Sequence, residues 1–236
     1  MFQKLRKSKK LLLVAMACAT FAIAGCGSDT TKNAADNGNA VTWSETFDGT
    51  KTDFAVKSSP THAVSMSQAT TEMMLQLGLE DKMAGTAFKE EEIYPPLQAA
   101  YDKVKVLSDK WPSYEVFMSV KPDFATGWPD SFSKRAIPAD KMIAQKVNIW
   151  LPESMLSTKA DLETNFNDMI KLGEIFGVKS KAEEWVAGQR KTLAAIQDKL
   201  KDLPRKRVFI YDSEDGQPFT AFEGYTTNIL KLIGAD

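Results

Sequence analysis

The sequence has little of what most chemistry needs. Its 236 residues include two cysteines and one histidine. Zinc sites recruit several His or Cys ligands, so a receptor for bare zinc is excluded and no metal site is expected. A Ser-His-Asp triad would have only His62 to draw on. That histidine precedes an apparent strand and reads as structural. The chain contains no G-x-G-x-x-G, no G-x-S-x-G and no Walker loop. The dinucleotide, hydrolase and NTPase classes therefore have no motif to stand on. The expectation is a protein that is not an enzyme and carries no cofactor. Excess positive charge is also lacking, with 30 Lys and Arg against 31 Asp and Glu. Nucleic acid needs a basic footprint, so it is excluded as a partner. Finally, the fifteen-residue apolar run from Leu11 to Gly25 falls short of the roughly 20 residues of a membrane-spanning helix.

What is present begins with that run. Lys4, Arg6, Lys7, Lys9 and Lys10 form a basic head, and Ile23-Ala24-Gly25-Cys26 closes the run with small residues before a cysteine. Basic head, short apolar core and small-residue exit describe a secretory signal over residues 1–25. The ending resembles a bacterial lipobox, which implies cleavage before Cys26 and lipid on its thiol. The expected location is outside the cytoplasm, on the outer face of the cytoplasmic membrane or in the periplasm, held by a lipid anchor. Cleavage would remove five basic residues and Cys18, leaving 25 Lys and Arg against 31 acidic residues, a net charge of about −6. Without a disulfide, stability must come from a packed core. Residues 27–41 are polar and lack an apolar period, so residues 26–43 read as the lipidated cysteine and a flexible tether.

From about Thr61 short strands and helices alternate. Strands are expected at Ala63–Met66, Lys82–Ala87, Val104–Leu107, Asp123–Trp128 and Val147–Leu151. Helices are expected at Thr70–Leu79, after Pro95-Pro96, and from a Ser113 cap through Val120. This rhythm implies βαβ units and a mainly parallel sheet, an α/β fold. Met66, Met73, Met74 and Met118 fall at core spacing. Lys89-Glu90-Glu91-Glu92 reads as a solvated loop.

The rhythm then breaks. Lys159 to Phe176 reads as a helix stopped by Gly177, and Ser180-Lys181-Ala182-Glu183 as a capping box opening a longer helix to about Leu203. Ala182, Val186, Leu193, Ile196, Leu200 and Leu203 make one apolar stripe, expected to pack across the chain's own lobes. A new unit follows, with a strand over Arg207–Tyr211 and a helix over Tyr225–Ile233.

Four segments carry a resemblance over about residues 60–236: HAVSMSQATTEMMLQLG from His62, WPSYEVFMSVKPD from Trp111, the helix from Ser180 to Leu203, and the stretch from Pro204 to Asp236 with its Pro-Phe-Thr loop. In this order, behind a lipobox, they resemble the substrate-binding lipoproteins of ABC importers for iron–siderophore complexes, haem and cobalamin. The family often has Pro where this chain has Gln68. The resemblance implies a two-lobed parallel-sheet binding protein with a long interlobe helix. It divides the chain into an N-terminal lobe (44–158), interlobe helices (159–204) and the start of a C-terminal lobe (205–236). That second lobe stops after one unit and so reads as incomplete.

The implied ligand is a ferric siderophore, haem or cobalamin; the implied partners are an ABC permease and its ATPase. In parallel sheets ligands bind at the carboxyl ends of the strands. Ser67 and Gln68 follow the first strand, Phe88 and Lys89 the second, Asp109, Lys110 and Trp111 the third. Trp128 follows the fourth, with Lys134 and Arg135 after it. Tyr211, Asp212 and Phe219 would face them from the second lobe. Aromatic faces suit porphyrins, corrins and catecholates, and Arg forks onto anionic oxygens. The candidate ligand-binding set is therefore Ser67, Gln68, Phe88, Trp111, Trp128, Arg135, Tyr211 and Phe219. Glu115 matches the family's first-lobe glutamate that pairs with permease arginines. It would also favour a helix macrodipole locally. The alternatives are a surface capture or adhesion lipoprotein without a transporter, and an inactive gene fragment.

Overall fold

A five-stranded parallel sheet organises the computed structural model, which describes residues 40–214, 216–220 and 224–235. A two-stranded ribbon precedes it: β1 (Val41–Phe47) and β2 (Thr50–Val56), paired antiparallel. The sheet consists of β3 (Ala63–Ser65), β4 (Met83–Ala87), β5 (Val106–Ser108), β6 (Phe124–Thr126) and β7 (Asn148–Trp150). Their order is β5-β4-β3-β6-β7, and each neighbouring pair is parallel. The crossovers carry α1 (Gln68–Gln76), α2 (Gln98–Tyr101), α3 (Tyr114–Ser119) and α4 (Ala139–Ile143). Strand order runs one way from β3 to β5 and the other way from β6 to β7. The reversal opens a crevice beyond the carboxyl ends of β3 and β6, the usual ligand position in such sheets.

Alternating side chains divide the core into two. Ala63, Phe124 and Trp150 join a cluster with Met74, Phe166, Leu172 and Val186. Their neighbours Val64, Ala125 and Ile149 join Met66, Phe117, Phe132 and Met142 on the other side. This is the period of two that a strand covered on both faces produces. Met66 and Met74 are fully buried, Met73 nearly so, and Met118 packs against the second cluster.

The β1–β2 ribbon was not foreseen from the sequence. Its turn residues Asp48 and Gly49 have φ of 48° and 78°, the paired left-handed conformation of a two-residue hairpin. Trp43 stacks on Phe54 at 5.6 Å and donates from Nε1 to Ile149 O at 2.7 Å. Glu45 accepts from Leu151 N at 3.0 Å. The ribbon is thus tied to the end of β7.

After the sheet come α5 (Leu162–Ile175) and α6 (Lys179–Leu200). Asp161 and Thr164 form a reciprocal capping box on α5, and Gly177 ends that helix at φ +70°. The box expected at Ser180–Glu183 is not formed. The chain turns from Gly177 straight into α6, Val178 is its N-cap without a side-chain bond, and Ser180 lies inside the first turn. Gly173 is required where the two helices meet, since a Cβ there would lie 2.6 Å from Ala182 Cβ.

The apolar stripe of α6 is also corrected: Ala182 and Val186 are buried, whereas Ile196 and Leu203 are 40% and 58% exposed. Only the first half of the helix lies against α5. Nor does a strand form over Arg207–Tyr211. The ladder instead begins at β8 (Tyr211–Glu214), which pairs antiparallel with β9 (Pro218–Thr220). A strand requires a neighbour to take its N–H and C=O groups, and here the partner lies after residue 217. Val208 and Phe209 stay exposed. Helix α7 (Tyr225–Leu232) follows, and Asn228 Nδ2 donates to Ala160 O at 2.9 Å. The signal segment, Cys26 and the tether through residue 39 lie outside the described residues. No helix among the described residues is long and apolar enough to cross a membrane.

Two predictions follow from these contacts. Burial pushes the Glu45 carboxyl up to about 7, against the pull of the Leu151 N–H and helped by Glu153 and Asp168. The unfolded chain ionises this group near its ordinary 4.5, so the folded state holds the extra proton between those values. Stability therefore falls as pH rises from about 4.5 to 7, by roughly 3 kcal/mol from this group. Glu45→Gln keeps an acceptor for Leu151 and should flatten that slope in urea melts taken across the range. Gly173→Ala gains helix propensity of about 1 kcal/mol, yet the clash with Ala182 outweighs it. A net loss of about 1–2 kcal/mol is expected in the same assay.

Candidate functional site

The site is built around the end of β3. Met66 N donates to Thr126 O at 2.7 Å, stitching β3 to β6 past the last strand residue. The Met66 carbonyl accepts from Trp111 Nε1 and from Ser131 Oγ, each at 3.2 Å. A Cβ on Gly127 would lie 2.8 Å from Met66 Cβ, so glycine lets the turn after β6 close onto this residue. Beneath lies a sealed set of hydroxyls. Ser65 and Ser67 both bond the Thr70 hydroxyl, at 2.7 and 2.8 Å. Thr71 Oγ1 lies 2.8 Å from Ser65 Oγ and 2.6 Å from Thr86 Oγ1. All five are buried. They share their protons in a closed network, the condition under which buried polar groups rigidify a core. Thr126 Oγ1 is buried beside them on the sheet without a partner.

Aromatic side chains stand above. Phe88 and Trp111 stack at 4.6 Å with planes 19° apart, and Lys110 Nζ lies 5.3 Å from the Phe88 ring centre. Phe88 holds φ +59°, a left-handed backbone that disfavours bulky residues. Such an outlier persists where the surroundings fix it. Trp128 Nε1 lies 3.4 Å from Glu90 Oε2, on the loop after β4. Phe88 and Trp111 thus stack beside the end of β3, and Trp128 is linked to the same loop through Glu90.

The other candidates sit differently. Ser67 is fully buried and caps α1, accepting from Thr70 N at 3.3 Å. It shapes the loop and offers no surface. Gln68 bonds the neighbouring loop with both ends of its amide. Arg135 pairs with Asp130, but both are well exposed, so solvent screens the pair to a small energy. Tyr211 and Phe219 lie on the β8–β9 hairpin and are more than half exposed. Exposed Glu115 lies in the first turn of α3, capped by Ser113. Hydrogen bonds from its own N–H and the Ser113 hydroxyl, with the Lys141 charge, hold its carboxyl below the usual range. His62 is exposed and its backbone clasps Asp123: His62 N donates to Asp123 Oδ1 at 3.0 Å. Among the described residues no group of three or more His, Cys, Asp or Glu is placed to hold a metal.

A family model for periplasmic binding proteins matches residues 64–228. The chain belongs to the periplasmic binding protein family. A periplasmic binding protein from Veillonella parvula is 95% identical with a TM-score of 0.83, over 84% of this chain and 67% of that one. An ABC transporter substrate-binding lipoprotein of Bacillus subtilis, itself uncharacterized, is 26% identical over 97% of this chain and 72% of its own. The vitamin B12 binding protein of Vibrio cholerae shares the fold at TM-score 0.57 and 19% identity, over 75% of this chain and 65% of that one. The fold is α/β, that of the two-lobed periplasmic binding proteins.

Sequence reasoning missed Glu72 and Glu90, which organise the loop beside Phe88. Glu90 stands in a charge run that resembles any solvated surface.

Ser67→Ala tests the layer beneath the aromatics. Loss of a cap and of one member of a buried network should cost about 1–2 kcal/mol. Urea denaturation measures it, and Ser119→Ala on exposed α3 should change stability by much less.

Proposed function

We propose that this protein is the extracytoplasmic receptor of an ABC importer, capturing an iron–siderophore, haem or cobalamin-type complex and delivering it to a permease. The observation that carries the reading is the Phe88–Trp111 stack beside the strand-order reversal of a parallel sheet, with Trp128 linked to the same loop through Glu90. Flat π-faces match the broad apolar surfaces of such ligands. Solved proteins of this fold are described as binding vitamin B12, haem and a ferric siderophore complex. The receptor makes and breaks no bonds; ATP hydrolysis belongs to its partners. Cys26 would carry the lipid that anchors it at the membrane surface, with the tether ending before β1, which begins at Val41. Tyr211 and Phe219 would close on the ligand from the other side, and Arg135 would exchange Asp130 for an anionic ligand oxygen. Glu115, exposed at the start of α3 and kept ionised by its surroundings, would meet cationic groups of the permease.

Haemin, cyanocobalamin and a ferric siderophore are the probes, followed by tryptophan quenching. Trp111→Ala should weaken binding of the accepted probe by about tenfold or more. Glu115→Ala should leave that affinity unchanged and lower uptake through the permease in reconstituted vesicles. Failure of all three probe classes to quench the wild-type chain would overturn the reading.

A further inference from the structure

The loop after β4 has little packing to hold it. Of residues 89–94 only Ile93 is buried. On its outer side the loop borders an open depression of about 520 Å³ lined by Lys89, Glu92, Ile93, Pro95 and Gln98. Yet this loop begins at Phe88 and carries the Glu90 carboxylate against Trp128.

Two side chains on the first turns of α1 fasten it. Gln68 Oε1 accepts from Glu90 N at 2.9 Å and from Glu91 N at 2.7 Å. Gln68 Nε2 donates to Glu92 O at 3.2 Å and to Glu72 Oε1 at 2.9 Å. The same Glu72 oxygen accepts from Tyr94 N at 3.1 Å. Four hydrogen bonds thus join an i, i+4 pair on one helix to loop residues 90, 91, 92 and 94, a fifth ties the pair together, and 93 is held by burial. An amide is suited to position 68 because the loop presents two N–H groups and one C=O to it. A carboxylate supplies only acceptors and an ammonium only donors.

We propose that Gln68 is a positioning residue: with Glu72 it sets the 88–94 loop and thereby the Phe88–Trp111–Trp128 wall, without touching ligand itself. The link to ligand affinity rests on the receptor reading above; the clamp itself does not. Its registration also depends on α1 starting at Gln68, which the buried Ser67 cap fixes.

The experiment is hydrogen exchange on the full chain without ligand, resolved at Glu90, Glu91 and Tyr94, with α5 amides as reference. Gln68→Ala should speed exchange at Glu90 and Glu91 by about tenfold or more, leave α5 unchanged, and alter acrylamide quenching of Trp128. Gln68→Glu keeps the acceptor for both loop N–H groups but faces Glu72 and the Glu92 carbonyl with a second carboxylate, so protection should fall and fall further as pH rises. The exchange Gln68→Glu/Glu72→Gln restores the donor between the pair and an acceptor for Tyr94, and should recover most of the protection. General loosening of the helix would not be rescued by that swap. Unchanged exchange at Glu90 and Glu91 in Gln68→Ala, or a swap no better than Gln68→Glu, would overturn the clamp. Where haemin or cyanocobalamin binds, Gln68→Ala should weaken it several-fold. If no probe binds the wild-type chain, the receptor reading fails while the exchange data still decide the clamp.

Discussion

The loops at the carboxyl end of the parallel sheet depend on how β3 ends. Its strand is three residues long and buried on both faces, so its last backbone groups have no water to turn to. Met66 resolves this by donating to β6 and accepting from an indole and a hydroxyl. One carbonyl therefore fixes both the loop after β5, through Trp111, and the turn after β6, through Ser131. The reversal of strand order beside β3 is what brings those two loops to the same residue. Any side chain larger than hydrogen at Gly127 would push them apart.

Three charged side chains of the strand-end loops have partners. Lys110 lies against Phe88, Glu90 against Trp128, and Arg135 against Asp130. These contacts are exposed, and each is individually weak in water. Their effect is to leave the aromatic faces as the surface with most to gain from burial. An incoming ligand that covers those faces also lowers the local dielectric and strengthens the same pairs. Below, the hydroxyl network of Ser65, Ser67, Thr70, Thr71 and Thr86 holds the start of α1. From there Gln68 and Glu72 reach the loop after β4, where only Ile93 of residues 89–94 is buried. Order therefore passes outward from the sheet through hydrogen bonds.

The sheet was legible because its signals are local. Short apolar runs between small-residue turns gave all five central strands to within two residues, and Ser113 was identifiable as a cap from its place before an apolar run. That Phe88, Trp111 and Trp128 follow strand ends was legible because a parallel sheet sends its loops out at the carboxyl ends of its strands. What failed depended on burial and on contacts that composition does not show. Ser67 has the composition of a ligand-loop residue and the burial of a cap. Gln68 sits where a ligand contact would, but two loop amides 22 and 23 residues away occupy it. The Ser180 box matched a pattern that the Gly177 turn made unnecessary. The ribbon at 41–56 did carry a signal, Asp48-Gly49 between alternating residues, hidden by a polar segment read as tether. Its pairing with the end of β7 through Trp43 and Glu45 leaves no local trace.

The central claim is that ligand meets the chain at the aromatic wall of the strand-order reversal. The five tryptophans at 43, 111, 128, 150 and 185 give five indole N–H resonances, so one titration on the full chain judges it. With the diamagnetic probes cyanocobalamin and a gallium-loaded siderophore, the signals of Trp111 and Trp128 should shift while those of Trp43, Trp150 and Trp185 stay in place. Shifts confined to Trp43, Trp150 or Trp185 during saturable binding would contradict the account, because the ligand would then be seated away from the wall.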